Sequence, residues 1–116
     1  MVGELQLTAE FPAVDKSDLE AFRDLVATAI AGAAEEPGTL NYDWFSNQDE
    51  STFFARERYA SSEALLAHAQ ASAETVGRLA ELAGGLKVEI FGDPSPEVLE
   101  AMAAVAPTLY PFVAGK

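Results

Sequence analysis

Two residues in this chain are typed and spaced for proton transfer, Glu57 and His68. Phe53, Ala55, Glu57 and Tyr59 alternate with Phe54, Arg56 and Arg58, the period-two pattern of a strand. Upstream, Leu40, Tyr42 and Trp44 alternate with Asn41 and Asp43 in the same way. Strand parity sends Tyr42, Trp44, Glu57 and Tyr59 to one side of a sheet, together with Leu7, Val88 and Ile90. His68, the only histidine, follows Leu65 by three residues and Ala64 by four. That spacing puts it at the border of an apolar helix face, within reach of Glu57. A carboxylate and an imidazole in an aromatic-lined pocket make a workable general base for a phenolic hydroxyl.

Each of these residues also has a structural role open to it. A lone histidine at a helix edge serves as a hydrogen-bonding residue, and Tyr42 and Trp44 in an alternating strand serve as core. Glu57 can hold the amide end of a helix or pair with an arginine. The chain contains no Gly-rich phosphate loop, no nucleophile elbow and no cluster with metal-ligand spacing. Nucleotide, hydrolase and metalloenzyme readings are disfavoured accordingly.

Composition sets outer limits. The 116 residues, 49% hydrophobic, suffice for one domain with a single core, expected to span 1–116. Without cysteine there is neither a disulfide framework nor a thiolate metal site. The amino-terminal stretch MVGELQLTAEF lacks a basic region followed by an apolar one, and no apolar run approaches the ~20 residues of a membrane span. A cytoplasmic soluble protein is expected. The net charge of −12, from 19 acidic and 7 basic residues, repels phosphate backbones and anionic lipid, so neither nucleic acid nor a membrane is expected as partner.

The elements that must position Glu57 and His68 follow a βαββαβ order. Leu5, Leu7, Ala9 and Phe11 alternate with polar residues as a first strand, which Pro12 ends. Ser17 and Glu20 match capping-box spacing ahead of a helix whose stripe is Leu19, Phe22, Val26, Ala29, Ile30 and Ala33. Pro37 and Gly38 stop that helix, and residues 46–51 form the turn of a hairpin. A second helix runs from about Ser61, with a break expected near Ser72, to Gly84 and Gly85. Residues 86–91 alternate again as a fourth strand. Ser95 as N-cap and Pro96 open a third helix, with Val98, Leu99, Met102 and Val105 on its buried side. The aromatic tail, residues 108–113, contains Pro111 and suits an edge segment.

This order builds an α+β, ferredoxin-like antiparallel sheet with its helices on one face. The other face carries Gln6, Thr8, Asn41, Asp43, Phe45, Phe54, Arg56, Arg58, Lys87, Glu89 and Phe91. Three phenylalanines there call for cover. A twofold partner would bury them and pair Arg56 and Arg58 with Asp43 and Glu89, giving a homodimer.

PGTLNYDWF before the turn, RERYASSEALLAH after it and an apolar strand at each end resemble the antibiotic biosynthesis monooxygenase family. The resemblance implies two sheets closing into a dimeric α+β barrel. It also implies oxidation of an aromatic hydroxyl compound, a phenol or quinol, with no metal or flavin, because the substrate anion itself reduces dioxygen. Under that scheme Glu57 or His68 would take the proton, and Tyr42, Trp44 and Tyr59 would stack on the ring system. Relatives often carry a second histidine a few residues on, where this chain has Ser72, Ala73 and Glu74. Haem-degrading relatives ligate iron with a histidine further along the same helix, and none is present, so no cofactor is expected. The alternative function is a non-catalytic dimer of the same fold that binds a small apolar molecule or serves in stress.

Overall fold

The computed structural model describes residues 3–116, so the first two positions of the stretch read for a leader lie outside the described residues. Strand β1 (Leu5–Phe11) leads through a 3-10 turn (Lys16–Asp18) into helix α1 (Leu19–Ala34). The hairpin β2 (Thr39–Ser46) and β3 (Phe53–Tyr59) follows, then α2 (Ser62–Leu82) and β4 (Lys87–Phe91). A short α3 (Pro96–Ala101), a second 3-10 turn (Ala103–Val105) and β5 (Thr108–Tyr110) complete the chain. The sheet order is β2-β3-β1-β4-β5. Its first four strands pair antiparallel as the βαββαβ order requires, while β5 joins β4 in parallel across the α3 connection. The chain is thus α+β and ferredoxin-like, with the tail as an edge strand.

Alternation decides the layers. In β1 and β3 every second residue is buried, and Leu5, Leu7, Ala9, Phe11, Ala55 and Tyr59 meet Phe22, Leu65 and Leu79 from the helices. Phe22 lies 4.7 Å from Phe53 and 5.8 Å from Phe11, centroid to centroid, and ties α1 to the sheet. Ser61 caps α2 by accepting the Ala64 N–H at 3.1 Å, and Ser95 caps α3 by accepting that of Val98 at 3.3 Å.

Several local expectations are corrected. The Ser17–Glu20 capping box does not form; Asp15 takes the role instead, accepting from the Ser17 amide at 3.2 Å and opening a 3-10 turn before α1. Helix α2 does not break near Ser72, because the Ser72 hydroxyl donates to the His68 carbonyl at 2.7 Å and satisfies itself within the helix. Leu40 is the extra residue of an irregularity between Thr39 and Asn41, so it is exposed rather than inward with Tyr42. Ile30 and Leu99 also face outward, each one residue beyond a buried neighbour, Ala29 and Val98.

The open face carries the residues that parity assigns to it, in cross-strand rows. Asp43, Arg56, Thr8 and Glu89 form one row, and Phe45 and Phe54 lie opposite each other in the next. Arg58 pairs with Glu4 of its own chain, Nε to Oε1 at 2.9 Å. The Nε–H is not directed at that oxygen, so the contact is ionic rather than a formed hydrogen bond. Glu89 is engaged by Thr8, whose hydroxyl donates at 2.9 Å. Tyr110 adds a ring stacked on Phe91, centroids 5.1 Å apart.

Gly38 brings the turn before β2 against the first turn of α2. A Cβ built there would stand 2.5 Å from the Ala64 Cβ, backed by helix backbone. Gly38→Ala is therefore expected to destabilise the fold by about 1–3 kcal/mol through overpacking. The double variant Gly38→Ala/Ala64→Gly should recover most of the loss in urea denaturation. Strict additivity of the two changes would refute this contact.

Candidate functional site

Helix α2 lies across the inward side of the sheet, and between them is a cavity of about 350 Å³. Register fixes what faces it. Glu57 pairs with Leu7 on one side and with Tyr42 on the other, so the carboxyl group and the phenol are neighbours across β3 and β2. His68 enters from α2, and Tyr42, Trp44, Glu57 and His68 all line the cavity. Glu57 retains 8% of its accessible surface and His68 5%. Tyr59 does not line it. Fully buried, Tyr59 turns its hydroxyl to Glu57 Oε1 in a short hydrogen bond.

Glu57 and His68 share the cavity but are not bonded to each other. His68 instead places Nδ1 2.7 Å from Glu36 Oε1, and the Thr39 hydroxyl donates to the same oxygen at 2.8 Å. The dyad engages Nδ1 and leaves Nε2 as the other ring nitrogen. With Nδ1–H donating to Glu36, Nε2 presents its lone pair. The His68 ring also packs on two phenols, 5.0 Å from Tyr42 and 5.4 Å from Tyr59.

Burial pushes the Glu57 carboxyl up to about 7, against the Tyr59 hydrogen bond, which favours the charged form, and with a smaller push from the Glu36 charge. Burial likewise drives the phenols of Tyr42 and Tyr59 above their ordinary range, the charge of Glu57 adding to both. Trp44 stacks on Phe11 with centroids 5.2 Å apart. Its indole N–H is buried without a directed acceptor, although it lies near enough to the Tyr42 hydroxyl to offset part of that rise. The site thus offers one carboxyl poised near neutrality, one oriented imidazole and one unspent donor. Among the described residues no group of three or more His, Asp or Glu side chains is placed to hold a metal ion.

Sequence reasoning placed Tyr42, Trp44, Glu57 and His68 on the inward side but missed Glu36. Glu36 sits between the end of α1 and the start of β2, where neither periodicity operates. The turn that carries it closes through Thr39 N–H to the Glu36 carbonyl at 3.1 Å. The only signal was its place just before Pro37 and Gly38.

The family model described as antibiotic biosynthesis monooxygenase matches residues 7–91. Among solved structures, MupZ from Pseudomonas fluorescens is 24% identical, with TM-score 0.80, covering 97% of this chain and 92% of its own. A conserved Bacteroides thetaiotaomicron protein, described as a possible oxidoreductase, is 26% identical with TM-score 0.69, covering 78% of this chain and 98% of its own. A Caulobacter crescentus protein named as a candidate antibiotic biosynthesis monooxygenase is 26% identical with TM-score 0.62, covering 76% and 87%. No curated protein matches the sequence.

The raised Glu57 carboxyl has a thermodynamic consequence. A group whose folded pKa lies above its unfolded value contributes stability below the unfolded pKa and loses it as pH climbs through the folded one. For a rise from 4.5 to about 7 the loss is on the order of 3 kcal/mol across that window. Glu57→Gln, neutral throughout, should flatten this decline. Denaturant titrations at pH 5 and pH 8 test it, and parallel stability profiles for the two proteins would contradict the assignment.

Proposed function

We propose, from the premise that the chain belongs to the antibiotic biosynthesis monooxygenase family, that it oxidises a small aromatic hydroxyl compound without a resident cofactor. The observation that carries this reading is the pairing of a near-neutral carboxyl and an oriented imidazole on the wall of one apolar cavity. Its volume lies at the low end of the ~300–1,000 Å³ of small-molecule sites, a fit for a compact ring system.

In the proposed reaction, Glu57 or His68 Nε2 removes a proton from the phenol or from an activated ring CH₂ in conjugation with it. The resulting anion is electron-rich and transfers an electron to dioxygen. Recombination forms a C–O bond and, with a proton, a hydroperoxide. Loss of the second hydrogen from the same carbon breaks the O–O bond and expels water, leaving a ketone. One oxygen atom enters the product, the other leaves as water, and the substrate supplies all the electrons. Tyr42 and Trp44 would flank the ring, with the free indole N–H directed at a ligand oxygen. Tyr59 and Glu36 would act as positioning residues for Glu57 and His68.

Turnover of an anthrone-type substrate tests the base. His68→Ala and Glu57→Gln should each lower kcat by about a hundredfold or more. If Glu57 is the acceptor, kcat/KM rises as pH passes about 7 and Glu57→Gln loses that limb. Full activity in both variants would overturn the site. The second reading, a binding protein without catalysis, is favoured by the Tyr59 bond, which already occupies one Glu57 oxygen. Binding of such phenols without oxygen uptake would establish it.

The assembly proposed is a homodimer closed through the open face, where Phe45 is 54% exposed and Phe54, Phe91 and Tyr110 stand beside charged rows. Sedimentation at micromolar concentration should give twice the 12.3 kDa chain mass. Arg56→Glu should weaken the dimer by placing like charge among Asp43 and Glu89. A stable monomer would rule out the barrel.

A further inference from the structure

We infer that residues 92–116, which follow the family segment, are the size-selecting element of the cavity and admit its ligand between α2 and the α3 turn. The inference rests on the small-molecule reading of that cavity and names what sets its specificity. The family match ends at residue 91, yet Ala101, Met102, Ala104 and Val105 form one wall. The titratable groups on the lining, Tyr42, Glu57 and His68, come from inside the matched segment. The residues beyond the matched segment thus add a wall without titratable groups to a cavity whose chemistry comes from within it. The Bacteroides neighbour is matched over 98% of its length by 78% of this chain, so a fold of this kind is built from fewer residues than are present here.

Exposure locates the mouth. Ala73 and Gly77 on α2, and Ala101 and Ala104 across from them, line the cavity and are also open to solvent. Side chains this small leave a slit that larger ones would close. Behind the slit, Met102 and Val105 are partly buried and pack against the core, so they bound the depth. The lining follows α2 from Leu65 to Ala80, about 22 Å at the helical rise, with the titratable groups toward one end.

The wall is fixed. Val98 beneath it is fully buried, and the Ser95 N–H donates to Ser62 Oγ at 2.9 Å. At the other end β5 pairs with β4, and the Gly92 N–H donates to the Tyr110 carbonyl at 3.0 Å. A packed wall held at both ends excludes an oversized ligand instead of yielding to it. Its side chains are apolar, so the ligand region that meets them is apolar too, while its hydroxyl points toward Glu57 and His68. Met102, unbranched and polarisable, suits the edge of a ring system.

Calorimetric titration with phenol, 1-naphthol, anthrone and n-octanol tests this. Trp44, the only tryptophan and part of the lining, reports ring occupancy independently by quenching. Ala104→Phe and Ala101→Leu should each weaken anthrone by roughly tenfold or more and phenol by less than about twofold. Met102→Ala should shift preference toward the larger ring. Far-UV circular dichroism checks folding, and two wall positions keep the test alive if one variant fails to fold. Equal effects on every probe, or none, would overturn the inference. If octanol alone binds, the aromatic substrate falls, and the size-selecting wall stands only where the wall variants weaken octanol more than they weaken n-butanol. If no probe binds the unaltered protein, both fall.

Discussion

A carboxyl group buried between a sheet and its covering helix is the constraint on which this structure turns. Glu57 occupies a position that strand parity reserves for the core, and an unpaired carboxylate there would carry a large desolvation cost. Two consequences follow. Burial moves the group toward protonation near neutrality, and Tyr59, inward at the next position of the same face, supplies the hydroxyl that keeps it satisfied. Register makes this all-or-none. A one-residue slip of β3 would turn Glu57 and Tyr59 to the open face and bring Arg56 and Arg58 into the core. The arrangement that protects the fold is therefore also the one that keeps a titratable group beside the cavity.

Most of this layering was legible in the sequence because both periods are local. The inward set Tyr42, Trp44, Glu57 and Tyr59 needed only alternation and one turn, and the outward set on the other face needed the same. What was not legible depends on contacts distant in sequence or on single hydrogen bonds. Glu36 meets His68 across 32 positions from a turn without periodicity. Tyr59 shares the inward face with the lining residues, and only side-chain direction separates a residue that bonds to Glu57 from one that lines the cavity. The uninterrupted α2 at Ser72, the Asp15 cap and the extra residue at Leu40 are each decided by one local bond or one pairing irregularity. Patterning sees none of them.

The two faces of the sheet ask different things of the same strands. Toward the helices, aromatic and aliphatic residues close a core that stops short of filling the space under α2. On the far side, cross-strand rows mix carboxylates, guanidinium groups and phenylalanine rings, with Glu4 and Thr8 already engaging Arg58 and Glu89 within the chain. That side is neither a solvated surface nor a finished core. Its character arises from alternation on strands whose other half is committed to Glu57 and its neighbours.

The three-residue β5 strand has a consequence for how the molecule breathes. Its residues are all exposed, and it hangs on β4 alone, so its opening free energy belongs at the low end of the range found within a folded domain. The β1–β3–β2 block, with its buried alternation and aromatic cluster, belongs near the high end. Cooperative units of unequal stability exchange their amide hydrogens at different rates. Fraying of β5 would leave the Tyr59–Glu57 and Glu36–His68 bonds closed. Opening of the sheet edge and global unfolding are in this way separable events, with Glu57 housed in the slower-exchanging unit.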